Sequence, residues 1–375
     1  MSQTDSIAPL HGRTIIEFAR AGGSEVTGRA VALAGRIAAD FGATVIKVEP
    51  PGGDALRRAG PFVQGKDGQA ESAAFAFLNG GKRSLALSGS ETDRAVLAAL
   101  AGKAVAVLTD DRGALAAHFA AARAKVVVEH GVPLSLGIPD ARVADVTILA
   151  LSGLLDLIGH PDAAPVPLGG HQASYVAGLA AFSGLMGALS MCDHGAAGET
   201  VTISALEANI WSNWKSFAER LYMGRSPTRQ GAQAEWQTFP CTDGYAAFVY
   251  LDKDWPLVVR LIGDPRLSGP ELDTREGRRA NMGLISEVVR PWYAARSRRD
   301  IYELSKAAGL PMAPVIAVRE LLDDAQFAAQ RFLAPSGARH APRHWQVPTV
   351  PTVWNGQRFA PGASVSEADT AEAVL

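Results

Sequence analysis

The sequence predicts an α/β fold: a largely parallel sheet with helices on both faces, joined to a smaller α+β domain. Three observations predict it. Through the first half of the chain, short β-branched runs alternate with Ala-rich stretches of helical length, which is the rhythm of βαβ units. After Asp145 the pattern turns helical. Near residue 225 the texture changes again, with a Pro-, Gly-, Gln- and Arg-bearing loop followed by aromatic short runs. A chain of 375 residues also exceeds one typical compact core.

Taken in order, Thr14–Phe18 reads as a strand and Gly28–Phe41 as a helix that stops at Gly42. Ala43–Val48 is the next strand, Ser84–Leu87 another, and Thr92–Leu100 a helix. Ala104–Leu108 and Lys125–Val128 are strands separated by a helix reaching Ala124. Val146–Ile158, Ala173–Met191 and Ser204–Met223 carry helical patterns. Beyond the loop, Trp236–Phe239 and Tyr245–Leu251 form strands around Thr242-Asp243-Gly244, and Trp255–Ile262 and Leu284–Ala295 are helices. Trp255 and Trp292 are assigned to the core or an interface. The expected division is a large domain over 1–205, a linker helix and loop over 206–235, a small domain over 236–318, and a return to the large domain over 319–375.

Composition narrows the function. A formal charge of −2 gives no electrostatic case for nucleic acid or an acidic membrane surface. Two cysteines, Cys192 and Cys241, with no CxxC or Cys/His spacing, support neither a disulfide scaffold nor a structural zinc. No metal site is expected. The segment MSQTDSIAPLHGR lacks an apolar run behind a basic start, so a cytoplasmic protein is expected. The run Tyr175–Met191 is the most membrane-like piece; its Gly and Ser content and near-minimal length assign it to a buried core helix.

Candidate site residues have plain structural readings beside functional ones. Asp145 heads the apolar run DVTILALSG. By itself it reads as a helix N-cap, and in a cleft the same carboxylate could attack a thioester. Glu49 ends a buried strand at the sheet edge where α/β folds bind ligands, and also reads as part of a solvated turn with Arg57 and Arg58. Leu78-Asn-Gly-Gly-Lys-Arg-Ser84 places a glycine pair before two cations, as an anion site or a surface turn. Neither stretch carries the GxGxxG or P-loop spacing. The histidines form no recognisable triad.

These pieces, in this order, resemble the family III CoA-transferases of the CaiB/BaiF type, which include formyl-CoA transferases and 2-methylacyl-CoA racemases. FGATVIKVEPPGGDALR resembles the family's "LGA-VIK-E-P-GD--R" segment, and FLNGGKRSLAL its "F--lN--KRS--L" segment. DVTILALSGLLDLIGHPDAAPVPLGG is similar to the segment that carries the catalytic aspartate. AAGETVTISALEANI, PCTDGY and GLPMAPVIAVRELLDDAQFAAQRF resemble later segments, so the likeness spans most of the chain.

The resemblance implies a CoA-transferase in which Asp145 is the nucleophile. It implies that Leu78, Asn79, Lys82 and Arg83 hold the nucleotide end of CoA, and that Glu49 and Pro50 line the adenine and phosphate cleft, with Arg112 a further contact. It also implies a Rossmann-like large domain, an interlocked homodimer, and coenzyme A as substrate and carrier with no tightly bound cofactor. The sequence departs from the family at Pro50, where an Arg is common, in the longer first loop Ala19–Gly28, in the reduced stretch Ala106–Gly113, and in the flap Arg229–Gln233. Two other readings follow: a racemase pairing Asp145 with His118 or His130, and a CoA-binding paralogue without catalysis. The donor and acceptor acids are not legible.

Overall fold

In the computed structural model, residues 8–64, 70–88, 92–229, 234–335, 346–356 and 358–359 are described. The expected loose end near Glu367 and most of the flap at 230–233 lie outside them. The described residues divide into two compact units. One comprises the chain up to Leu155, Pro167–Ser226 and the part from Ala325; the other comprises Asp156–Val166 and Pro227–Asp324.

The larger unit contains β1 (Thr14–Phe18), α1 (Glu25–Asp40), β2 (Thr44–Glu49), β3 (Phe62–Gln64), β4 (Ala70–Ser72), α2 (Ala73–Leu78), β5 (Arg83–Ala86), α3 (Thr92–Lys103), β6 (Ala106–Thr109), α4 (Ala114–His118), β7 (Ala124–Glu129), α5 (Asp145–Leu151), α6 (Gln172–Asp193), β8 (Glu199–Ser204), α7 (Ala205–Ser212) and α8 (Trp214–Met223). Its main sheet has six strands in the order β5-β2-β1-β6-β7-β8, and every pairing is parallel. Alternation along each strand explains the two apolar faces. Ile15, Val45 and Leu108 point into the core that contains α1 and α6. Their neighbours Ile16, Ile46 and Val107 point into the core that contains Leu97, Leu100 and Phe119.

The helix α6 is long and apolar enough to cross a membrane by length and composition, yet it packs along α1 with Ala177, Ala181 and Leu185 fully buried. The approach is close at Gly178, where a Cβ would stand 2.9 Å from Leu33 and 3.0 Å from the Ala30 carbonyl oxygen.

Three expectations are corrected. The helix read over Val146–Ile158 ends at Leu151, because Gly153 takes φ +77° and only a short 3-10 turn, Leu155–Leu157, follows. Asp145 is the first helical residue and Ala144 the N-cap. The helix read over Ser204–Met223 is two helices, and Ser204 closes the sixth strand while its hydroxyl caps α7 by accepting from the Glu207 amide.

The smaller unit holds β9 (Gln237–Cys241), β10 (Gly244–Phe248), α9 (Trp255–Ile262), α10 (Arg275–Ala280), α11 (Met282–Ala294), α12 (Arg298–Ala307) and β11 (Ala313–Pro314). Its three strands are antiparallel, and Phe239, Phe248, Trp255 and Trp292 lie in its core. The larger unit resumes with α13 (Ala325–Ala329) and the hairpin of β12 (Leu333–Pro335) and β13 (Gln346–Pro348).

Candidate active site

The strand order reverses between β1 and β6, so the connections after those two strands leave in opposite directions and open a crevice at the carboxyl end of the sheet. A cleft of about 190 Å³ lies there. Its walls are the loop after β1 (Ala19–Ser24), Glu25, Gly28 and Arg29 in the first two turns of α1, much of the turn after β2 between Pro50 and Ala59, and Asp110 after β6. Ser24 caps α1 by accepting from the Val26 amide. Asp110 accepts from the Arg20 amide and from Thr27 Oγ1, both at 2.6 Å. Burial nevertheless pushes its carboxyl above the usual range.

Asp145 stands beside this cleft. Its side chain is 15% exposed. Oδ1 accepts from the Ser174 amide at 2.9 Å and Oδ2 from the Ser174 hydroxyl at 2.8 Å. Ser174 is the third residue of α6, whose own N-cap, His171, makes no side-chain cap bond. Asp145 therefore supplies from α5 the acceptor that the start of α6 lacks. Two cations or potential cations reach the same Oδ2: Arg29 Nη1 at 3.7 Å and His171 Nδ1 at 3.5 Å. Arg29 also lines the cleft, and so joins it to Asp145. His171 reaches its position with φ +58°, a left-handed conformation unusual outside glycine.

The remaining expected site residues are placed differently. Pro50 lines the cleft. Glu49 is 1% exposed and accepts two bonds from Arg57, both at 2.7 Å, one from the Asp54 amide at 2.9 Å, and one from Ser84 Oγ. Arg57 in turn lies over the Phe75 ring. Leu78 and Asn79 are fully buried. Lys82 Nζ donates to Glu17 at 2.6 Å, the Ala32 carbonyl at 2.8 Å and Asn79 Oδ1 at 2.9 Å, so its three donors are spent inside the protein. Burial pushes its pKa down to about 8, against the pull of Glu17. Lys47 completes the cluster, reaching Glu17 at 2.9 Å and Asp54 at 2.6 Å. Arg83 is half-buried on the edge strand β5. Arg112 is exposed and donates to Glu129 and Thr202.

Pro50 and Arg29 thus line the cleft, Asp145 and His171 meet behind Arg29, and Glu49, Asn79 and Lys82 are turned inward. Arg29 and His171 were missed in the sequence. Their signals are the Glu25/Arg29 spacing of four on a helix and a Gly-Gly-His entry to a long helix without its own capping residue. Of the two histidines nominated with Asp145, His130 bonds Asp140 through Nε2 at 2.6 Å and accepts from the Val132 amide through Nδ1, and His118 is exposed at the end of α4.

Comparison with known proteins places the chain in a family. The model of CoA-transferase family III matches residues 10–124 and 139–364. A succinyl-CoA:mesaconate CoA-transferase of Haloarcula marismortui is 25% identical over 79% of this chain and 79% of its own. The succinyl-CoA:(R)-benzylsuccinate CoA-transferase subunit BbsE of Thauera aromatica is 27% identical over 84% of this chain and 83% of its own. In fold, a CAIB/BAIF family protein from Brucella suis superposes with a TM-score of 0.80 at 24% identity, covering 97% of each chain.

Proposed function

We propose, for a chain that belongs to CoA-transferase family III, that Asp145 is the nucleophile passing CoA from an acyl-CoA to a carboxylic acid. The observation that carries the reading is one carboxylate, partly exposed, fixed at the N-terminus of α6 beside the cleft at the sheet's switch point. The relatives named as CoA-transferases make the chain an enzyme of that class with CoA as substrate.

The proposed steps balance without net proton transfer. Asp145 attacks the thioester carbonyl, the C–S bond breaks, and CoA thiolate leaves behind a mixed anhydride. The thiolate attacks the Asp145 carbonyl, releasing the donor acid and leaving an aspartyl-CoA thioester. The acceptor carboxylate then displaces the thiolate to form a second anhydride. The thiolate attacks the acceptor's carbonyl, which frees the new acyl-CoA and the Asp145 carboxylate. Backbone N–H groups of the glycine-containing loops would hold each oxyanion. We assign part of CoA to the cleft of about 190 Å³, which has Pro50 in its wall. We assign Glu49, Leu78, Asn79 and Lys82 to supporting that wall from within, and Arg83 and Arg112 to outer contacts with the nucleotide end.

The test is a screen of donors against carboxylic acids read by thioester mass, beginning with succinyl-CoA because relatives use it by name. Donor alone followed by borohydride should reduce an ester-level adduct on Asp145, and Asp145→Asn should abolish both adduct and turnover. An unmodified Asp145 under turnover would overturn the reading. Deuterium wash-in at C2 without any acid would point to the racemase instead.

We also propose that the chain works as a homodimer. Trp211, Trp214, Leu221 and Tyr222 on α7 and α8 are 78%, 63%, 79% and 89% exposed, and such a density of large apolar groups marks an interface. Light scattering of the purified protein at twice the chain mass is the expected result.

A further inference from the structure

We infer that Arg29 binds the carboxylate of the acid substrate, and that the enzyme's own Glu25 occupies that position until the acid arrives. The inference rests on the transferase reading and assigns it the group that recognises the acid. Arg29 is on the second turn of α1, lines the cleft, and has a side chain only 6% exposed. Its three nitrogens have three different fates. Nη1 faces Asp145 Oδ2 at 3.7 Å. Nη2 holds Glu25 Oε2 at 2.9 Å. Nε is buried and has no hydrogen-bond partner among the described residues.

A planar guanidinium recognises a carboxylate best through two parallel N–H···O bonds. The Nε–Nη2 edge of Arg29 is such a fork, and only one tine is filled. A buried N–H without a partner is costly. Glu25, by contrast, is 66% exposed, so it can swing into water at little cost, as exposed ion pairs contribute little. What replaces it should be another carboxylate, short enough to use both nitrogens.

The reaction calls for a cation here. An acid must bring its carboxylate to the carbonyl on Asp145 while CoA thiolate is being formed or consumed, so negative charge converges on one point. Arg29 collects the incoming oxygen pair on one edge and faces the aspartyl group with its remaining nitrogen. The acid passes from that edge to the aspartyl group, where its carboxylate oxygen attacks the carbonyl as the C–S bond breaks. The same edge receives the donor acid when it leaves in the first half.

The test is steady-state exchange between succinyl-CoA and ¹³C-labelled succinate, or the best pair from the screen if that turns over faster. Arg29→Gln should raise the KM for the acid by about ten- to a hundredfold, the equivalent of one charge-assisted bond pair, while moving the KM for the acyl-CoA less than about threefold. Arg29→Lys should recover part of the loss. Glu25→Gln should lower the acid KM by about two- to fivefold, as removal of an internal competitor. Equal changes in both KM values, or an unmoved acid KM, would overturn the inference, as would a Glu25→Gln enzyme with weaker acid binding. If Arg29→Gln fails to fold, the exposed Glu25 variant decides alone. Borohydride trapping separates the failures. An Asp145 adduct in wild type with an unmoved acid KM removes only this inference, whereas no adduct and no exchange in wild type removes the transferase reading.

Discussion

Lys82→Met is the most informative single change, because Lys82 is the residue whose motif suggests ligand binding and whose surroundings indicate a structural charge. Glu17, Lys47, Asp54 and Lys82 are each no more than 6% exposed, and together they carry two negative and two positive charges. Removing one partner from a buried ionic group costs about 3–5 kcal/mol, since an uncompensated charge remains. Lys82→Met leaves two carboxylates against Lys47. Glu17→Gln leaves two ammonium groups against Asp54. The double variant restores balance, because Lys47 and Asp54 remain paired at 2.6 Å. If each single change costs about 4 kcal/mol, independent effects would sum to about 8, whereas restored neutrality should hold the double to about 5, a coupling of about 3 kcal/mol. Urea unfolding followed by circular dichroism gives the four values, and the KM for acyl-CoA is measured on each folded variant. Additive losses would refute the charge-balance argument. A Lys82→Met protein of native stability with a raised acyl-CoA KM would show that Lys82 serves the ligand directly.

Other outcomes follow from neighbouring geometry. At Gly35 on α1 a Cβ would stand 1.8 Å from Glu17 Oε2 and 3.2 Å from Lys82 Nζ, so Gly35→Ala should lower stability by about 2–3 kcal/mol despite alanine's better helix propensity; unchanged thermal unfolding would contradict this. For Glu49, burial alone would raise the pKa, but the bonds from Arg57, Ser84 and the Asp54 amide outweigh it and hold the group below its ordinary value. Its contribution is therefore present above the unfolded carboxylate's pKa and is lost as pH falls through the lowered folded one. Arg57→Gln should accordingly move acid unfolding to higher pH, checked by a circular dichroism titration. Asp145→Ala should cost about 1 kcal/mol through the lost acceptor at the start of α6, and Asp145→Asn less; equal thermal stability of the two would count against the capping role.

The parallel sheet was legible because its inner strands are buried on both faces, so TIIEF, TVIKVE and AKVVVE read as β-branched runs. The strand Glu199–Ser204 was not, because it is an edge strand whose residues are only half covered and it runs straight into α7 through a shared serine. Asp145, the carboxylate proposed to react, was singled out by its motif, but its partners were not. Which residues face Asp145 depends on how α1 and α6 dock, and that is set by Gly178, Ala30 and Leu33 rather than by spacing near residue 145. The direction of charged side chains was the other blind spot. Nothing local in GGKRS distinguishes an ammonium offered to a phosphate from one drawn under the sheet by Glu17, because the attracting group lies on another strand.

Under the proposed role of Asp145, its acceptor bonds at the head of a neighbouring helix tie reactivity to architecture. A long, tightly seated rod acts as the jig that fixes one oxygen pair, and the walls around it are free to change shape without displacing it. Substrate preference can then drift through the loops after β1 and β2 while the Asp145 carboxylate stays put. Conversely, enlarging Gly178, buried in a packing seam with no cleft-lining atom of its own, would shift the jig and slow turnover for every acid alike.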